Sequence, residues 1–202
     1  MAFQNNGEKL TFRVKNESDV NAEMSITGLD PANYTDGWHH YAGVYNGTDL
    51  RLYVDGVLQG TPVAQTGNVR NSGLGNNVLS GYTTNGGTSA SEQIEADFDE
   101  VMIWYIERTP AQIITDAESG IASPGAETDL QAYYKFDQGI AEGDNTGITS
   151  LTDEKGTNDG TFSAGFPTSS GSSSNFISSP VPLTFTPEIE IAEVANGGTF
   201  DF

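Results

Sequence analysis

Residues 36–60, DGWHHYAGVYNGTDLRLYVDGVLQG, decide the fold. Within them Asn46-Gly47 and Asp55-Gly56 are two-residue turn signals, each set between runs rich in Val, Leu and Tyr. Both central residues of a type I′ turn need φ > 0, which Asn, Asp and Gly tolerate, so the stretch predicts three antiparallel strands joined by two tight reversals. Leu50, Leu52 and Val54 alternate with Arg51 and Tyr53, and a two-residue turn fixes the register that sends the first set to one face. That face has to be buried. The expected cover is a second sheet containing Phe98 to Tyr105 and Leu130 to Phe136.

Upstream, Leu10, Phe12 and Val14 alternate with Thr11 and Arg13 in a half-buried strand, and a shorter strand, Ala22 to Ile26, follows a polar turn. Downstream, a glycine-bearing loop leads to a short strand at Val78 to Tyr82 and then to a Gly, Thr and Ser loop, Thr83 to Ser91. Phe98 to Tyr105 carries apolar residues on both parities, which predicts a strand in the middle of a sheet. Thr109-Pro110-Ala111-Gln112 is a helix start, with Thr and Gln at capping-box spacing and Pro at the first helical position, and Gly120 ends a helix near 109–118. Leu130, Ala132, Tyr134 and Phe136 then share one face of a strand.

The rest of the chain is turn-rich. Residues 139–159 are acidic and predict solvated turns, with Thr161-Phe162 a last short strand. Thr168 to Ser174 is low in complexity and reads as a linker. Leu183, Phe185, Ile189, Ile191 and Val194 look like the opening strands of a following β-sandwich.

The 202 residues leave room for one sandwich-sized domain, and twenty aromatic side chains supply a core despite an apolar fraction of only 36%. A formal net charge of -20 with only eight Lys and Arg argues against nucleic acid and against anionic membrane surfaces. The same acidity suits solubility in salty surroundings, or Ca²⁺ held by carboxylate and carbonyl oxygens. With no cysteine, disulfides and thiolate metal sites are excluded. No run of about eighteen apolar residues exists to cross a bilayer, so no direct membrane insertion is expected. The N-terminus lacks a basic-then-apolar leader. The expectation is a fragment whose export signal lies upstream.

Three blocks carry a family resemblance. Gly37-Trp38-His39-His40 with Ala42, Val44 and Leu52 to Gly56 resembles the centre of a laminin-G-like (concanavalin A-like) jelly roll. Phe98-Asp99-Glu100-Val101-Met102-Ile103-Trp104, followed by Arg108 to Ile113, is similar to its next conserved stretch. Leu130 to Asp137 is similar to a strand that often follows this module in large secreted bacterial proteins. The resemblance implies an all-β fold of two antiparallel sheets packed as a jelly-roll sandwich. It divides the chain into a jelly-roll domain at 1–177, with 130–162 its terminal strand and acidic tail, and the start of another module at 178–202. The usual module has roughly fifty more residues ahead of Lys9, so the C-terminal segment is one candidate to fill the vacant edge.

For function the resemblance implies a non-catalytic binding or adhesion module, secreted or at a cell surface, that recognises a carbohydrate or a surface protein. Tyr82 and Asn85, in the Gly/Thr/Ser loop region, are the candidate ligand contacts by position and chemistry. Asp99, helped by Asp97, resembles the acidic position with which such modules hold one Ca²⁺. The alternative is a laminarinase-type β-glucan hydrolase. Glu95, Asp97 and Asp99 would share one side of a strand, and a bulge could bring Glu100 round to join them, with Glu95 as nucleophile and Glu100 as acid/base. Against this, Ala96 stands where that signature wants a bulkier residue, and both tryptophans sit in core-strand motifs. A spacer without ligand is the third reading. His39 and His40 point to opposite faces and cannot share one metal, so their expected role is packing. Asn16, Asn33 and Asn46 each open an N-x-S/T triplet.

Overall fold

The computed structural model describes residues 2–4, 9–28, 37–70, 97–156, 158–162, 168–170 and 176–178. Strands β1 (Ala2–Gln4), β2 (Lys9–Lys15) and β3 (Asn21–Thr27) form one antiparallel sheet in that order. The β2–β3 hairpin runs in register from Lys9 opposite Thr27 to Lys15 opposite Asn21. Its turn is tied by Asn16, whose Oδ1 accepts from the amides of Ser18 at 3.1 Å and Val20 at 2.9 Å. Such a local side-chain acceptor is what makes Asn a turn former.

The meander forms the second sheet: β4 (Tyr41–Tyr45), β5 (Asp49–Val54) and β6 (Val57–Leu58), with β7 (Val63–Ala64) also on β5. Asp55 (φ 50°) and Gly56 (φ 77°) occupy the two centres of the second reversal, as the sequence predicts. The first reversal differs. Tyr45 stands opposite Leu50, and the Asn46 amide reaches the Asp49 carbonyl at 3.4 Å, so Gly47 (φ 89°) and Thr48 are the central residues. Asn46 flanks the turn instead, its Oδ1 accepting from the amides of Thr48 and Asp49, both at 2.9 Å. A side-chain acceptor that captures two amides holds Asn46 out of the left-handed region that an Asn-Gly type I′ turn requires.

The two sheets pack face to face. Leu10, Val14, Ala22 and Met24 from the first sheet and Leu50 and Leu52 from the second form one buried cluster, with Leu10, Leu50 and Leu52 fully buried. Each such Leu contributes about 1.5–3 kcal/mol by leaving water. Gly43 permits the approach, since a Cβ there would lie 2.5 Å from the Phe12 ring. The cover over Leu50 and Leu52 is therefore the β1–β3 sheet, not the Phe98–Tyr105 and Leu130–Phe136 segments, because β2 and β3 carry the matching apolar alternation. The opposite face of the meander, Val44 and Tyr53, is covered by Ile113 of helix α1 (Pro110–Ser119). That helix has the capping box read from the sequence, with Thr109 as N-cap, Gln112 reciprocating and Gly120 closing it.

Strands β8 (Val101–Trp104) and β9 (Leu130–Tyr134) pair antiparallel with each other. A register shift at Ile103/Trp104 leaves Gln131 without an opposite number, and this bulge turns Tyr133 to the same buried side as Leu130. Met102, Trp104 and Ile121 complete that cluster. The other side of β8 is only partly covered: Val101 is half-buried but Ile103 is 40% exposed, Tyr105 just past the strand is 82% exposed, and among the described residues β9 is the only strand beside it. The cover expected on both faces is thus corrected at Ile103, while a second neighbouring strand for the expected mid-sheet placement is not among the described residues. Arg108 joins β8 to α1, its guanidinium 4.0 Å above the Trp104 ring and its Nε and Nη2 donating to the Asp116 carboxylate at 2.7–2.9 Å.

The acidic tail is also more ordered than solvated turns. After a 3-10 turn at Pro124–Ala126, short strands β10 (Ser150–Leu151) and β11 (Gly160–Thr161) pair, and the loop between them wraps around Asp153, which is 2% exposed. Asn145 is 3% exposed, and its amide donates to the Thr168 carbonyl at 2.8 Å. Phe176 is buried against Gly139, where a Cβ would have no room. Asn145 Oδ1 accepts the Ile140 amide at 2.7 Å and Asp153 accepts those of Lys155 and Asn158, local bonds that composition cannot reveal, and Asp153 also accepts the distant Tyr133 amide.

Candidate functional site

The acidic run ahead of β8 is the candidate site. Asp97 is exposed and Asp99 half-buried. Glu100 has φ 52°, a left-handed conformation unusual for a residue other than Gly, Asn or Asp. Its own amide donates to Asp99 Oδ1 at 2.9 Å, which holds the kink. The kink sends the Glu100 carboxylate inward, where Oε2 accepts the Tyr133 hydroxyl, and a Cβ placed on Gly120 would lie 3.4 Å from it. Tyr133 is fully buried, and a Cβ on Gly120 would lie 2.7 Å from its hydroxyl oxygen. Glu100 is therefore tied through Tyr133 to the chain leaving α1.

Burial pushes the Glu100 carboxyl above its ordinary range, with Asp99 and Asp137 adding to the rise and the Tyr133 hydrogen bond and Lys135 opposing it. Burial likewise raises the Tyr133 hydroxyl, and its bond to Glu100 raises it further. A raised carboxyl is the direction a general acid needs, but this carboxylate faces a buried phenol.

Among the described residues no three of His, Asp and Glu converge on one point that could hold a metal ion. Asp97 and Asp99 offer the hard carboxylate oxygens that Ca²⁺ takes, and any further ligands would be backbone carbonyls and water. Tyr82, Asn85 and Glu95 lie outside the described residues, so the Glu95–Glu100 spacing of the hydrolase reading is not tested. Asn33 lies outside them as well.

Asp55 is a hub that sequence reasoning missed. Its Oδ1 accepts the His40 amide at 2.8 Å, its Oδ2 meets His39 Nδ1 at 2.8 Å, and its own amide donates to the His40 carbonyl at 2.8 Å. The turn residue of the second hairpin thereby pins the chain as it enters β4, and the pairing of Trp-His-His with a later Asp-Gly was the available signal. Burial lowers the His40 imidazole, against the pull of Asp55 and Asp116. Of the N-x-S/T triplets, Asn16 is only 7% exposed and its Nδ2 donates to the Thr66 carbonyl at 2.9 Å, which marks it as structural.

A family model described as Concanavalin A-like lectin/glucanases superfamily, of the laminin-G type, matches residues 1–114. Neither a curated protein nor a solved structure matches the chain significantly. The matched stretch holds both packed sheets, the His39–His40–Asp55 hub, the acidic run and the first turn of α1. It is more than half of the chain, and on it the protein belongs to the laminin-G-like branch of the concanavalin A-like lectin/glucanase superfamily.

Proposed function

We propose that the chain is a non-catalytic recognition module of a secreted or cell-surface protein, binding a carbohydrate or a surface protein. One observation supports this over catalysis: the Glu100 carboxylate is turned onto the buried Tyr133 hydroxyl. A glycosidase acid must instead reach the leaving oxygen of a bound sugar. Tyr82 and Asn85 are the proposed ligand contacts, and Asp97 and Asp99 the proposed Ca²⁺ carboxylates. A glycan array run with and without Ca²⁺ tests the reading, with signal expected to fall in Tyr82→Ala and Asn85→Ala.

The hydrolase reading has one observation in its favour, the raised Glu100 carboxyl. Release of reducing ends from β-glucans that is lost in Glu95→Gln and in Glu100→Gln would establish it and overturn the recognition reading. Calcium is tested separately. A tight site must raise the melting temperature by mass action, so equal melting in excess Ca²⁺ and in EDTA would remove the ion from the proposal.

A further inference from the structure

A groove of about 440 Å³ opens between the two sheets, bordered by residues 23–27 of β3 on one side and by Gln59, Gly60 and Thr61 on the other. Side chains along a strand alternate between faces. A cavity bordered by five consecutive strand residues therefore runs along the backbone edge of β3, not over one of its faces. Among the described residues β3 is the outermost strand of its sheet, and none of them pairs with this edge as a further strand. Across the gap β6 and β7 lie along the same side of β5, the Gln59 amide still donates to the Leu52 carbonyl at 2.8 Å, and residues 60–62 leave the ladder between the two strands.

The gap is closed at its other end. Gln65 Nε2 donates to the Val20 carbonyl at 2.8 Å, and Asn16 bridges to Val69. The sandwich is thus laced where β3 begins and open where it ends.

The dimensions and lining indicate the guest. Five strand residues span about 14 Å, which gives the groove a mean cross-section of about 30 Å², that of one extended chain with small side chains. Met24, Ile26 and Val63 supply buried and half-buried apolar surface, while Ser25, Thr27 and Thr61 bring hydroxyls at the exposed margin. Among the described residues no aromatic ring lines the groove to stack on a sugar. Glu23 is engaged by Lys9 and Arg13, which hold its carboxyl down at about 2, so the margin does not select for a basic guest.

We propose that this groove takes one extended segment of a partner polypeptide, with small apolar and hydroxyl side chains in alternation, which adds to β3 as a further strand. Main-chain hydrogen bonds to the β3 edge supply the affinity, and the apolar floor selects every second side chain. The proposal rests on the recognition reading for its premise that the domain engages a partner, and it adds a second surface and names polypeptide as the class.

The test is an amide NMR titration with the blocked pentapeptide acetyl-Val-Thr-Val-Thr-Val-amide. Shifts and slowed hydrogen exchange are expected at Met24 to Thr27 and Gln59 to Thr61 at millimolar peptide. Thr61→Trp, which fills the groove from an exposed position, should weaken binding at least about tenfold at an unchanged melting temperature. The same peptide N-methylated at alternate residues should not bind. Absence of shifts at millimolar peptide, shifts elsewhere, or equal binding of the methylated peptide overturns the proposal. So does a peptide-independent dimer through β3, which would assign the edge to a second copy. A blank glycan array beside a positive titration sinks the glycan reading and leaves this one standing.

Discussion

Replacing Asp153 by Ala tests whether residues 135–162 are an integral part of the fold. The carboxylate is 2% exposed, and it accepts the amides of Tyr133 at 2.8 Å and Lys155 at 3.0 Å on Oδ1 and of Asn158 at 2.9 Å on Oδ2. Hydrogen bonds to a charged acceptor are worth about 1.5–3 kcal/mol each, and a buried donor left unpaired costs about 1–3 kcal/mol. Tyr133 is fully buried, so its amide cannot turn to water, whereas Lys155 and Asn158 lie in a surface loop and can. The Ala variant should therefore lose about 3–4 kcal/mol, a large share of the stability of a domain this size. Asp153→Asn keeps one carbonyl oxygen for Tyr133 and Lys155 but can set an NH₂ against the Asn158 amide, so it should lose about 1–2 kcal/mol. Urea unfolding followed by tryptophan fluorescence reads the series as falling midpoints at a constant slope. An Ala variant within about 0.5 kcal/mol of the parent, or an Asn variant below Ala, would refute the reasoning.

Two further substitutions probe the other buried polar links. Arg108→Ala leaves the Asp116 carboxylate, 8% exposed, without its bidentate partner and should cost about 3–5 kcal/mol in thermal or urea unfolding. Arg108→Lys should recover less than half of that, because an ammonium neither forks onto the carboxylate nor lies flat on Trp104. Glu100→Gln tests the raised carboxyl through pH. The folded chain holds this proton more tightly than the unfolded chain, so the Glu100 contribution is lost as pH rises from about 4.5 through the folded value. The Gln variant, which still accepts from Tyr133, should be more stable than the parent at pH 7 and lose that part of the pH dependence; a less stable variant at pH 7 would show that the ionised carboxylate contributes net stability.

What the sequence made legible was whatever local spacing determines. The Asp55-Gly56 reversal, the Thr109 to Gln112 capping box and the alternations of β2, β3 and β5 are each written within a few residues and are found where the spacing puts them. Partner choice was less legible. Any greasy face can cover Leu50 and Leu52, and alternation states that a face is buried without naming its cover. Cover is likewise absent from a strand's own residues, which is why Phe98 to Tyr105 read as covered on both faces although Ile103 is partly exposed.

The acidic run shows the same boundary at the site. Parity counting alone puts Glu100 on the face away from Asp97 and Asp99 and leaves its direction to a local irregularity, which Glu100 at φ 52° supplies. Its direction is then set by Tyr133, 33 residues along the chain, and by the absence of a side chain at Gly120. Tyr133 in turn reaches that point only because the bulge at Gln131 moves it onto the Leu130 side of β9. The Glu100 carboxylate thus joins the start of β8 to β9, and residues that carry no charge put it there. Where Glu100 points is decided by what stands opposite it, and the letters of the run do not state that.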